Sequence, residues 1–150
     1  MSTRGRIAIK ENGKYTYIYN HCDSYIDGVG IILYKFYKDV NKVKGLISLG
    51  NTANVGSTVE EGGSKTYREH MSKPLEQRGT VAAFRNINRW EDCNEITKWE
   101  EEKPVETDLL SEVLGEDFTY IFDVKDNRWY FAYWNDEYKL RDLEKTLHSK

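Results

Sequence analysis

The stretch Arg128-Trp129-Tyr130-Phe131-Ala132-Tyr133-Trp134 constrains this chain more than any other. In an extended strand Trp129, Phe131 and Tyr133 face one way, and Tyr130 and Trp134 face the other. A strand that is apolar on both faces exposes a sticky surface unless it is covered on both sides. Phe118, Tyr120 and Phe122 alternate just before it, and Lys125-Asp126-Asn127 separates the two runs. Phe118–Val124 and Arg128–Trp134 therefore read as a β-hairpin whose second strand must be covered on both faces. A first hairpin stands at the other end of the chain. Ile7 and Ile9 alternate, Glu11-Asn12-Gly13 supplies a turn with tolerance for positive φ, and Tyr15, Tyr17 and Tyr19 alternate in return.

Between the hairpins the period changes. Val29, Ile32, Leu33, Phe36 and Tyr37 form the stripe of an amphipathic helix, with Asp27 placed to cap it. Asp39 is placed to cap a second helix that carries Val40, Val43, Leu46 and Ile47, with Gly50 at its end. The two helices are expected as a helical hairpin on the sheet. Residues 50–66 turn to Gly, Ser, Asn and Thr and read as a long loop without a P-loop motif. Thr80–Arg85 is an apolar run suited to a central, buried strand. Residues 91–117 hold eleven Asp/Glu against Lys98 and Lys103, a charge of −9. Ile96 and Trp99, then Leu109, Leu110, Val113 and Leu114, give this block an apolar side, so two short helices are expected. Thr107 or Asp108 is placed to cap the second and Gly115 to end it. Leu140, Leu143 and Leu147 mark a C-terminal helix. The order predicts a single α+β domain, an antiparallel or mixed sheet of about five strands with helices packed on it.

Composition fits that reading. The 150 residues are 39% hydrophobic and 13% aromatic, which excludes a disordered chain. A chain of this length buries roughly two thirds of its unfolded surface, enough for one core without staples. The net charge of −3 divides unevenly, from +4 over residues 1–50 to −6 over residues 101–150. Cys22 and Cys93 form no CxxC pair and read as reduced thiols. His21, His70 and His148 show no ligand spacing, so no metal and no cofactor are expected. No apolar run reaches the ~20 residues of a membrane span, and the first residues lack a secretory leader, which leads us to expect a cytoplasmic protein.

Three clusters are candidates for chemistry. Tyr19–Asp27 lies where a strand gives way to a helix. There His21 has the chemistry of a general base, Asp23 that of its orienting carboxylate, and Cys22 that of a nucleophile. The same residues also serve as turn and cap formers around a hydrogen-bonded histidine. Arg85, Arg89 and Trp90 follow the central strand. They are suited to gripping phosphate and stacking a base, or to pairing with Glu91 and Asp92. A ligand pocket built from His21, Asp23, Tyr25, Arg85 and Arg89 would take a nucleotide or another phosphorylated signal. The acidic block is the third cluster. Glu95, Trp99, Glu100, Glu101 and Glu102, together with Trp129 and Trp134, would meet a protein with a basic surface. The bland alternative is a solvated helix face. Direct nucleic-acid binding is not expected, because the basic residues form no stripe interleaved with aromatics.

Met1-Ser2-Thr3-Arg4 through Ile7, Tyr17–Tyr25, Gly28-Val29-Gly30 and Val40–Gly50 together resemble a family of small, mostly uncharacterised bacteriophage proteins. Ser24 stands where that family usually has glycine, and Ile26 where it often has proline. The resemblance implies a phage accessory protein acting in the bacterial host cytoplasm and carries no catalytic residue with it. The function expected is therefore binding and inhibition of a host factor, most plausibly a defence system such as CRISPR–Cas. A nucleotide sponge or small enzyme, and a homo-oligomeric assembly protein joined through the aromatic strand, are the alternatives.

Overall fold

The computed structural model describes residues 3–59, 72–82 and 103–149. Strands β1 (Gly5–Glu11) and β2 (Lys14–Asn20) form the first hairpin, with Ile7 opposite Ile18 and Glu11 opposite Lys14. Asn12 at φ 53° and Gly13 at φ 76° make the turn. Both angles are positive, as the tight turn that matches strand twist requires.

The chain then runs through a π-helical turn, Ile26–Gly30, into helix α1 (Ile31–Phe36). Asp27 lies within that turn rather than capping the helix, and Tyr25 precedes it. The cause is a close approach: Val29 N donates to Asp23 O at 2.9 Å, and a Cβ on Gly28 would stand 2.4 Å from the same oxygen. Helix α2 (Val40–Ser48) begins as expected, with the Asp39 side chain accepting from Asn41 N at 2.9 Å. Gly50 follows it at φ 78°, a left-handed position that glycine adopts without strain.

Strand β3 (Thr52–Asn54) lies inside the stretch expected to be loop, and β4 (Val81–Ala82) pairs with it antiparallel. The remaining elements are β5 (Val105–Thr107), α3 (Leu110–Val113), β6 (Phe118–Asp123), β7 (Arg128–Tyr133), β8 (Arg141–Asp142) and α4 (Leu143–His148). The described residues form one mixed sheet of eight strands in the order β4-β3-β2-β1-β6-β7-β8, with β5 also paired to β2. The class is α+β, with three short strands, β3, β5 and β8, beyond the five expected. The run at Thr80–Arg85 was expected at the centre. Its described part, β4, is instead the outermost strand, and residues 83–85 lie outside the described set.

The centre is a parallel pair. β1 and β6 run side by side from Gly5 opposite Phe118 to Lys10 opposite Asp123. This joins the two hairpins through strands far apart in sequence. On one face Ile7, Ile9, Ile18, Tyr120, Phe122, Trp129 and Phe131 meet Val29, Ile32, Leu33, Val43, Leu46, Ile47 and Leu143 from the helices. Each such apolar side chain contributes on the order of 1.5–3 kcal/mol by leaving water. The buried polar tips are satisfied. Tyr120 Oη donates to Ser24 O at 2.7 Å, Tyr37 Oη to Gly56 O at 2.8 Å, and Trp129 Nε1 to Tyr37 O at 2.8 Å.

Leu140 was expected in the C-terminal helix, but it precedes β8 and is 42% exposed. Two residues later Asp142 caps α4 by accepting from Lys145 N at 3.0 Å. Trp134 lies beyond β7, in the short turn Trp134–Asp136. Among the described residues no helix is long and apolar enough to cross a membrane.

Candidate partner-binding face

The face of the sheet opposite the main core carries a second, smaller cluster of Ala8, Tyr15, Val113 and Ile121, with Tyr17 and Leu110 against it. Residues 104–117 run along the edge of β2 and then cover part of this face through Leu110 and Val113. Their attachment begins with β5, whose Thr107 and Val105 pair with Tyr15 and Tyr17. It continues at Arg6, whose Nη1 donates to Glu112 O at 2.9 Å and Val113 O at 3.2 Å, while Nη2 stands 3.6 Å from Glu116. The Arg6 guanidinium also rests on the Tyr17 ring, 5.1 Å from its centroid. Thr119 Oγ1 donates to Gly115 O at 2.8 Å and accepts from Gly115 N at 3.0 Å, which closes the far end.

The segment shows solvent an acidic and partly apolar surface. Glu106, Asp108 and Glu112 are exposed, as are Val105 at 46% and Leu109 at 56%. Leu109 was expected on the inward side of a helix. The helix instead starts one residue later, and Leu109 N is held by Thr107 Oγ1 at 3.2 Å, so the leucine side chain faces out. Thr107 thus captures the chain just ahead of the helix, and it also donates to Glu112 Oε2 at 2.9 Å. Leu114, not Gly115, is the residue that ends α3.

His21, Asp23 and Tyr25 follow β2 in the turn that leads toward α1, within a hydrogen-bonded cluster. His21 is 2% exposed, and its Nδ1 is 3.0 Å from Tyr19 Oη. Asn20 is fully buried; its Nδ2 donates to Cys22 O at 2.8 Å and to Ser24 Oγ at 2.9 Å, and its Oδ1 accepts from Thr52 Oγ1 at 2.7 Å. Asp23 sits at φ 58° and accepts from Asn54 Nδ2 at 3.1 Å. Backbone hydrogen bonds tie the turn to β3, whose Thr52 and Ala53 carbonyls accept His21 N and Cys22 N. Burial pushes the Tyr19 hydroxyl up to about 12; Glu116, Cys22 and Asp117 add to this and Arg4 opposes it. Cys22 is 5% exposed and packs as a small apolar residue. Of the three expected residues Tyr25 is exposed, at 40%, Asp23 is half-buried and His21 is buried.

Arg85 and Arg89 lie outside the described residues, as do Glu95, Trp99, Glu100, Glu101 and Glu102. Trp129 and Trp134, expected on one partner-facing surface, are separated. Trp129 is 5% exposed under the helices and Trp134 is 59% exposed. The burial of Trp129 corrects its expected role, since the indole N–H is used inside the core. Among the described residues no group of three or more His, Cys, Asp or Glu is placed to hold a metal ion. Compared with known proteins, the chain matches no family model, no curated protein and no solved structure.

Proposed function

We propose that the protein is a phage-type accessory protein that binds and inhibits a host factor, a defence system such as CRISPR–Cas, through the face formed by residues 104–117. One observation carries the reading. This segment holds five carboxylates, Glu106, Asp108, Glu112, Glu116 and Asp117, and no lysine or arginine. It also exposes Val105 and Leu109. Carboxylates of one sign around exposed apolar side chains suit a basic protein groove, such as one that holds nucleic acid. The charge speeds encounter by roughly 10–10³-fold at low salt, and the apolar contacts slow release. The phage-like N-terminal pattern supplies the biological setting.

The test is a plasmid-interference assay in a bacterium with an active CRISPR–Cas system. Expression of the chain is expected to restore transformation by a targeted plasmid. The pair Glu106→Lys and Asp108→Lys is expected to abolish that protection while leaving the fold intact. Transformation that stays at the interference level, with no complex to the purified effector at low salt, overturns the proposal.

A further inference from the structure

Beside the acidic segment, on the same face of the sheet, is a cavity of about 220 Å³. Its walls are the Tyr15 and Tyr130 rings with Ile121 and Leu140, and its rim carries Lys10, Asp123 and Asp142. Tyr15 belongs both to this wall and to the strand pair that holds β5, so the two features are continuous. The volume falls below the ~300 Å³ at which small-molecule sites begin, which suits one side chain better than a metabolite.

We propose that this pocket takes an arginine side chain of the basic partner, its stem between the aromatic and aliphatic walls and its guanidinium against the Asp123 carboxylate. The inference rests on the reading of this face as a docking surface for a basic protein. Charge complementarity supports it. Tyr130 Oη donates to Asp126 Oδ2 at 2.9 Å. The Tyr130 hydroxyl is held above its usual range first by that hydrogen bond, then by burial, then by the charges of Asp126, Asp142 and Asp123. Three carboxylates thus stand around the Tyr130 hydroxyl, with Lys10 on the rim and Arg128 on Asp142 as the neighbouring cations.

The carboxylates are not equally available. Asp142 accepts Arg128 Nε at 2.8 Å and caps α4. Asp123 commits Oδ1 to the turn, accepting from Lys125 N at 3.0 Å and Asp126 N at 3.3 Å. Its Oδ2 meets Lys10 Nζ at 3.8 Å. That is longer than the ~2.7–2.9 Å of a charge-assisted hydrogen bond, which leaves Oδ2 able to accept a closer guanidinium N–H. Lys10 also displays the chemistry in miniature, its ammonium standing 5.8 Å from the Tyr15 centroid beside that carboxylate. Arginine fits better than lysine, because a planar guanidinium stacks on a tyrosine ring and forks onto a carboxylate together.

The probe is N-acetyl-arginine methylamide, titrated into the full chain and followed by the NMR shifts of the Leu140 methyls and the Tyr130 ring. Saturable shifts are expected with a dissociation constant on the order of millimolar. The neutral citrulline analogue is expected to bind at least about tenfold more weakly, as loss of the charge-assisted contacts implies. Leu140→Lys places an ammonium over the mouth from an exposed position and is expected to abolish the shifts, with the remaining spectrum unchanged. Asp123→Asn keeps the turn acceptor and is expected to weaken binding several-fold. Equal binding of arginine and citrulline compounds, or shifts that do not saturate, overturns the proposal. Plasmid protection separates the two claims. If Leu140→Lys protects as well as the native chain and capped arginine does not bind, the pocket fails and the functional reading stands. If capped arginine binds but the native chain gives no protection, the functional reading fails, and with it the assignment to a partner.

Discussion

Replacing Asn20 with alanine tests whether the cluster at the end of β2 is structural. The residue is fully buried, and its side chain makes three hydrogen bonds, to Cys22 O, Ser24 Oγ and Thr52 Oγ1, all between 2.7 and 2.9 Å. Each contributes about 0.5–1.5 kcal/mol net, and a buried partner left unsatisfied costs about 1–3 kcal/mol. Taking the lower part of each range, Asn20→Ala should destabilise the fold by about 3–5 kcal/mol. That is a large share of the ~5–15 kcal/mol by which a native domain exceeds its unfolded state. Urea unfolding followed by tryptophan fluorescence reads the change. With a slope of about 2 kcal/mol/M, the midpoint should fall by roughly 2 M. A double-mutant cycle with Thr52→Val isolates the 2.7 Å bond and should return a coupling of about 1 kcal/mol. A loss below about 1 kcal/mol for Asn20→Ala would show that the cluster does not hold the turn, and the structural reading of His21 and Asp23 would go with it.

Three other outcomes follow from the same geometry. Asp39→Ala removes the acceptor of Asn41 N and should cost about 0.5–2 kcal/mol in chemical denaturation, in the range of other N-cap losses. Gly28→Ala drives a Cβ to 2.4 Å from Asp23 O, so the variant should lose thermal stability relative to an exposed control such as Glu76→Ala; an unchanged melting temperature would contradict the close approach. Burial holds both Tyr19 and Tyr37 at about 12, with the Thr80 hydrogen bond pulling the other way at Tyr37. Their folded values lie above the unfolded value of ~10, so the native state keeps protons that the unfolded chain releases. Stability from these groups is therefore complete below pH ~10 and falls as pH rises toward 12. Burial raises Tyr120 as well, so ultraviolet difference titration should find at least three tyrosines that ionise late, Tyr19, Tyr37 and Tyr120, and Tyr37→Phe should remove one of them.

The parts of this fold visible in sequence are those with a local cause. Asn12-Gly13 and the alternation of Tyr15, Tyr17 and Tyr19 announce a hairpin because turn chemistry and a period of two act within a dozen residues. Asp39 announces α2 for the same reason. Strands β3, β5 and β8 are two or three residues long, too short to carry a period, and exist because a neighbour offers them an edge. The parallel β1–β6 pairing is set by the shared core rather than by any nearby signal. In the candidate site, the carboxylates of residues 104–117 were legible as charge. The outward turn of Leu109 was not, because an apolar residue beside a helix reads as buried until Thr107 is seen holding the backbone ahead of it. The alternation of Trp129 and Trp134 was visible too, but not that β7 ends before Trp134 and releases it to solvent.

The parallel pairing at the centre of the sheet also governs the chain's birth. Arg4 N donates to Asp117, 113 residues further along, and β1 takes its second neighbour only when β6 arrives. At the ~5–20 residues per second of synthesis, the interval is roughly 6–23 s. Throughout it the first hairpin can form, but one edge of β1, with Ile7 and Ile9 beside it, stays open to any strand that comes near. The nascent chain is thus most at risk of pairing with its own copies on neighbouring ribosomes, and a cell that translates it heavily should hold more of it in inclusion bodies when synthesis slows between residues 20 and 118 than when it slows afterwards.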